Sequence, residues 1–268
     1  MRVSASGLVM AGLLTAVTVT VSACTAAGPP KAAAPASAPA AGRTAAERPA
    51  PAGPASPAAS PGTPALTAAQ AQAALIGESD LGVPWTAADS TATWHDGLLK
   101  AATGQADCQR LLEALYTDEL LGAPAGPQAV TSLDDGDDAA QLRYQVDAGR
   151  SADVDRTLAW LRTLPGTCGR FTAQTTAAGT EAVQVTDAGL QGFGDARQGL
   201  RITLTAQPSA AEDPTTLTLD VAVVRVGDDA IVLTAGALGT LPDDTTEQAL
   251  DIGVQRLAQV REQGRAQA

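Results

Sequence analysis

The chain has 268 residues and a formal net charge of −12, with 17 Lys and Arg against 29 Asp and Glu, and it carries three Trp, two Tyr and two Phe. An acidic chain this poor in rings argues against a nucleic-acid partner, which needs a basic face for phosphates and aromatic platforms for bases. With a single histidine it also lacks the motifs of the zinc hydrolases.

Met1-Arg2 gives a short positive start, and Leu8 to Val21 is free of charge and rich in Leu, Val, Ala and Thr. The stretch falls short of the about 20 residues a spanning helix needs, and it suits the apolar core of a secretion signal. Val21-Ser22-Ala23-Cys24 follows directly. It resembles the lipobox of bacterial lipoproteins, in which the cysteine is acylated and becomes the first residue of the mature chain. The resemblance implies a signal peptide over 1–23 and a lipid on Cys24. Partnership with the membrane then runs through that anchor, on the extracytoplasmic face.

Residues 25–64 hold ten of the seventeen prolines, with Ala, Ser and Gly, and no Leu, Ile, Val or aromatic residue. Such a segment cannot bury enough apolar surface to offset its ordering entropy, which predicts a disordered Ala/Pro-rich linker over 24–64. In extended polyproline II form it reaches at most on the order of 120 Å.

Residues 65–268 are expected to form one domain of about 200 residues. Thr67-Ala68-Ala69-Gln70 reads as a capping box that opens a short helix through Ile76, ended by Gly77. Asp107 is expected to cap a second helix with Leu111, Leu112 and Leu115 on one side and Gly122 closing it. Gln128–Leu133 and Ala140–Asp147 read as strands around Asp134-Asp135-Gly136-Asp137. In the second, Leu142, Tyr144 and Val146 alternate with Arg143, Gln145 and Asp147, the period-two mark of a strand with one wet face.

A third helix starts at Ser151, with Val154, Leu158 and Leu161 as its apolar stripe and Pro165-Gly166 as its end. Five strands follow over 170–175, 182–186, 200–206, 216–226 and 230–235, the last two forming a hairpin about Gly227-Asp228-Asp229. A final helix begins near Asp244 and packs through Leu250, Val254 and Leu257. Its later turns carry Arg256, Arg261 and Arg265, which favour the negative end of the dipole. Consecutive strands on short turns predict an α+β fold, an antiparallel sheet with helices packed on one face.

With Cys24 given to lipid, Cys108 and Cys168 remain, and an even pair in an exported domain reads as a disulfide. The alternatives want more: a metal site needs neighbouring ligands, and a catalytic thiol needs a histidine base. His95, beside Trp94 in a polar stretch, is expected to be a solvated loop residue. The Asp134-Asp135-Gly136-Asp137-Asp138 cluster lacks the spaced ligands and closing glutamate of a calcium loop and reads as a hairpin turn. Gly192-Phe193-Gly194 lacks a following helix and reads as a loop rather than a phosphate cradle. No G-x-S-x-G elbow is present. Two-carboxylate glycosidase chemistry has acidic pairs to draw on, but few aromatic platforms for a sugar.

Leu66-Thr67-Ala68-Ala69-Gln70 through Leu81-Gly82-Val83-Pro84-Trp85, then a cysteine opening a helix, resembles a class of actinobacterial exported domains. So does the helix carrying Trp160 that leads to Cys168, followed by strands and a terminal helix. The class is the extracellular sensor domain of PknH-type receptor kinases, also found in stand-alone lipoproteins. The resemblance implies an α+β domain with an antiparallel sheet and a cleft for an unknown ligand. Members commonly carry two disulfides and this chain has cysteines for one, so no cleft residue is carried over. The expected function is a lipid-anchored, non-enzymatic ligand-binding or sensor-like domain, with no cofactor and no catalytic or metal residues. Its partner would be a small molecule, a lipid or a cell-envelope protein. The alternatives are a structural or adaptor lipoprotein and, further off, an envelope hydrolase.

Overall fold

The computed structural model describes residues 65–136, 139–149, 151–207, 213–242 and 244–267. The signal-like segment, Cys24 and the Pro-rich arm lie outside the described residues, as do Asp137 and Asp138 of the acidic turn.

The helices are α1 (Ala68–Ala73), α2 (Glu78–Leu81), α3 (Ala106–Tyr116), α4 (Ser151–Thr167) and α5 (Thr245–Gln267), with one π-helical turn at His95–Leu99. The strands are β1 (Trp85–Ala87), β2 (Ala101–Ala102), β3 (Gln128–Asp135), β4 (Ala140–Asp147), β5 (Arg170–Thr175), β6 (Gly179–Asp187), β7 (Ala196–Ala206), β8 (Thr216–Val226) and β9 (Asp229–Leu238). They form one sheet in the order β1-β3-β4-β9-β8-β7-β6-β5-β2. Every described pairing is antiparallel. The fold is α+β with an antiparallel sheet.

The helices are divided between the two faces of the sheet instead of gathering on one. Leu217, Leu219, Val221 and Val223 of β8 pack with the leucines of α3 and α4. Ala222, Val224 and Val226 of the same strand point the other way and pack with Ala71 of α1 and Leu250 and Leu257 of α5. A strand apolar on both sides needs cover on both sides. By contrast β6 buries Glu181, Val183 and Val185 and exposes the residues between them. The hairpin joining β8 to β9 pairs Val226 with Asp229 across a two-residue loop, Gly227-Asp228, in which Gly227 takes φ +63°.

Three local details depart from expectation. Thr67 and Gln70 do form the capping box of α1, but Gly77 opens α2, its N–H donating to the Asp80 carboxylate at 2.7 Å. That carboxylate also takes both arms of Arg256 at 2.5 and 2.8 Å, while Arg256 donates to the Leu75 carbonyl at 2.6 Å. The Arg256 bonds hold Asp80 below the usual carboxylate range against the opposing effect of burial. Asp107 sits inside the first turn of α3, behind Gln105 at the cap position, and the helix ends at Tyr116, well before Gly122. The α4 helix passes through Pro165 because Cys168 N–H still reaches the Leu164 carbonyl at 2.7 Å and Thr167 Oγ1 caps Thr163 at 3.2 Å. Cys108 and Cys168, at the start of α3 and just past α4, are joined in a disulfide with Cα atoms 5.6 Å apart.

Candidate functional site

The side of β4 that alternation marks as wet is largely roofed. Gln145 and Asp147 are buried, and their side chains form a hydrogen-bonded ladder along the strand. Arg143 Nη1 donates to Gln145 Oε1 at 2.6 Å, and Gln145 Nε2 donates to Asp147 Oδ2 at 2.6 Å. Gln128 Nε2 of β3 closes the far end on Asp147 Oδ1 at 3.1 Å. At the near end Arg143 Nε lies 3.2 Å from Asp118 Oδ2. Asp118 sits just past α3 with φ +58°, a left-handed backbone that aspartate adopts more readily than most residues. Burial pushes its carboxyl above the usual range, and Arg143, then His95, oppose that rise.

A pocket of about 240 Å³ opens at this end of the ladder. Its floor is the sheet, with Ser132 of β3, Gln141 and Arg143 of β4 and Thr234 of β9. Leu115 and Asp118 wall it from α3 and the chain beyond, and Trp94, His95 and Leu99 wall it from the π-helical turn. The rim, Ala88 to Thr91, is fastened by one side chain. Gln141 accepts from Ala92 N–H at 3.0 Å and donates to the Ser90 carbonyl at 2.9 Å and to Asp134 Oδ1 at 2.7 Å.

His95 is not a solvated loop residue. Its side chain is 15% exposed, its ring stacks on Tyr116 with centroids 5.1 Å apart, and Nδ1 lies 3.1 Å from Asp96 Oδ1. Nε2 is buried with no hydrogen-bond partner. The cause lies on β9, where a Cβ on Gly236 would come within 2.8 Å of the Trp94 ring. The missing side chain leaves a notch in the sheet that Trp94 fills, and its neighbour His95 is carried inward with it.

Chemically, the pocket offers the Arg143–Asp118 pair and the hydroxyls of Ser90, Thr91, Ser132 and Thr234 beside the His95 ring and the apolar walls of Trp94, Leu99 and Leu115. Ser132 and His95 share it, yet Nε2 makes no hydrogen bond, so the nucleophile–base contact of acyl transfer is not made. Among the described residues no three His, Cys, Asp or Glu side chains gather as a metal site. Asp134 and Asp135 belong to β3 rather than to a turn, opposite Gln141 and Ala140. Gly192 and Gly194 take φ +82° and +53° in a loop. Arg143, with Gln145 and Asp147 of the ladder, is thus a site residue whose strand and facing the alternation in β4 revealed. Asp118, Trp94 and His95 reach the pocket through a chain reversal and a distant glycine.

No family model and no curated protein matches the chain. Among solved structures it is similar to the extracellular domain of PknH from Mycobacterium tuberculosis. The two are 12% identical, the match covers 75% of this chain and 100% of that one, and the TM-score is 0.40.

Proposed function

We propose that this chain is a ligand-binding, sensor-like domain without catalytic activity, displayed outside the membrane from a lipid on Cys24. One observation carries the binding reading. The pocket sets polar groups fixed in advance by the β4 ladder against the apolar walls of Trp94, Leu99 and Leu115. A concave, partly apolar pocket with a few polar groups held in place is where a small molecule binds. The anchor reading rests on the signal-like start and Cys24. No described helix is long and apolar enough to cross a membrane.

Protein taken from its own envelope and weighed under native conditions is expected to carry a small bound molecule. Thr234→Met, which fills the pocket floor with a longer apolar side chain, is expected to lose that molecule while keeping the circular dichroism of the parent. A clean apo mass, or an adduct that survives Thr234→Met, would overturn the pocket assignment. The anchor has its own test. Cys24→Ala should abolish incorporation of labelled palmitate and leave the membrane fraction, and unchanged retention would remove the lipid from the reading.

A further inference from the structure

The floor of the pocket is one cross-strand row. Ser132 of β3 and Thr234 of β9 both stand opposite Arg143 of β4 in the register. A hydroxyl, a guanidinium and a second hydroxyl therefore follow one another at the strand spacing, across about 10 Å. Leu133, Leu142 and Leu233, their neighbours in sequence, pack on the opposite side of the sheet, so all three polar residues face the pocket side. The guanidinium is held before any ligand arrives. Its Nε lies 3.2 Å from Asp118 Oδ2 and its Nη1 donates to Gln145 Oε1 at 2.6 Å. Among the described residues this leaves Nη2 to donate to a ligand and Asp118 Oδ1 to accept from one.

The charges of the lining decide against ionic ligands. Its one guanidinium is already paired with Asp118, and Asp89 adds a second carboxylate at the exposed rim. An anion would compete with Asp118 for Arg143 and meet Asp89 as a like charge, while a cation would have to draw Asp118 away from Arg143. A wholly apolar molecule would cover the ion pair and the floor hydroxyls without replacing the hydrogen bonds they make to water. A neutral ring bearing several hydroxyls avoids all three costs. Each hydroxyl both donates and accepts, so one can accept from Arg143 while others donate to Asp118 and pair with Ser132 or Thr234. The C–H surface of such a ring suits the apolar wall of Trp94, Leu99 and Leu115. The volume of about 240 Å³ falls below the roughly 300–1,000 Å³ of sites for drug-sized ligands, which favours one ring over a chain of them.

We infer that the pocket binds a single neutral sugar ring, either a free monosaccharide or the end residue of a glycan, with Ser132, Arg143 and Thr234 reading its hydroxyls. This ligand class rests on the binding reading proposed above. The scarcity of aromatic residues in the sequence speaks against a sugar site, but one ring in the right place suffices for one sugar, and the fold brings Trp94 there.

Saturation-transfer NMR and calorimetry on the full chain test the class with a fixed set of probes. The neutral rings are glucose, galactose, mannose and N-acetylglucosamine, and the charged counterparts are the uronates and 2-amino sugars of the same rings. At least one neutral ring should bind saturably, and its charged counterparts at least about 10-fold more weakly. Ser132→Ala removes one floor hydroxyl and should weaken that sugar roughly 2- to 10-fold, and Thr234→Met should abolish its binding. A uronate or amino sugar that binds as tightly as the neutral ring would overturn the class, as would a neutral ring indifferent to both variants. If no neutral ring binds while protein from the envelope still carries a molecule that Thr234→Met removes, the sugar falls and the binding reading stands. A clean apo mass with no sugar bound removes both. The methyl glycoside of the bound sugar separates its two sources: equal affinity marks the end of a glycan, and lost affinity marks a free monosaccharide.

Discussion

Reduction of the Cys108–Cys168 bond is expected to lower the unfolding free energy by about 4 kcal/mol, the loop-closure value for a 60-residue separation. For a domain of about 200 residues that corresponds to a fall in Tm of roughly 8–16 °C. The bond joins the first turn of α3 to the end of α4, so it clamps together the helical layer that covers one face of β6, β7 and β8. Everything between the two cysteines, including β3, β4 and Asp118, is closed into that loop. The loss should therefore reach the pocket. With α3 no longer tethered, Leu115 is held by packing and Asp118 by its pair with Arg143, and Arg143 loses the fixed position of its carboxylate partner. Urea titrations of oxidised and reduced protein check the energy. Tryptophan emission checks the pocket, since Trp94 lines it. A midpoint shift worth less than about 1 kcal/mol would mean that strain or residual order in the reduced chain cancels the entropic gain.

What the sequence made legible follows how local each signal is. The bounds of β4, β5 and β8 emerge residue for residue because alternating or apolar runs are bracketed by turn chemistry. The α1 cap is legible because both halves of a capping box lie within four residues. Two-sided cover of the sheet was also written in the chain. Val221-Ala222-Val223-Val224 and Ala230-Ile231-Val232-Leu233 are unbroken apolar runs, and a strand with one wet face does not read that way. Glu181 was similarly visible, an acid at the apolar phase of Glu181-Ala182-Val183-Gln184-Val185. The pocket was not legible. His95 is half-buried because its neighbour Trp94 fills the notch at Gly236, 141 residues from His95, and nothing near His95 in sequence announces that partner. Asp118 meets Arg143 only because the chain reverses after α3 and β4 then crosses beneath it.

Arg261 shows how far a local reading falls short in magnitude, and it yields the other large expected effect. Near the end of a helix an arginine is worth roughly 0.3–1 kcal/mol through the dipole, and salt screens that gain. In the fold Arg261 is instead the partner of Asp229, with the two side chains 11% and 1% exposed, and its guanidinium lies over Gly227 in the β8–β9 hairpin. Asp229 also accepts the Gly149 N–H at 2.8 Å, so one carboxylate ties α5, the central hairpin and the end of β4 together. Arg261→Met keeps the apolar stem and strands that carboxylate, leaving a buried charge with a single donor. The expected cost is about 3–5 kcal/mol, as for one-sided removal of a buried pair. Adding Asp229→Asn removes the stranded charge while its carbonyl oxygen still accepts from Gly149, so the double variant should recover most of the loss. Urea denaturation at 0.05 M and 1 M salt separates the two origins, since a buried pair is little screened and a dipole contact is strongly screened. A cost below about 1 kcal/mol that vanishes in salt would return Arg261 to the dipole. A double variant no better than the single one would show that the guanidinium matters for packing on Gly227 rather than for charge.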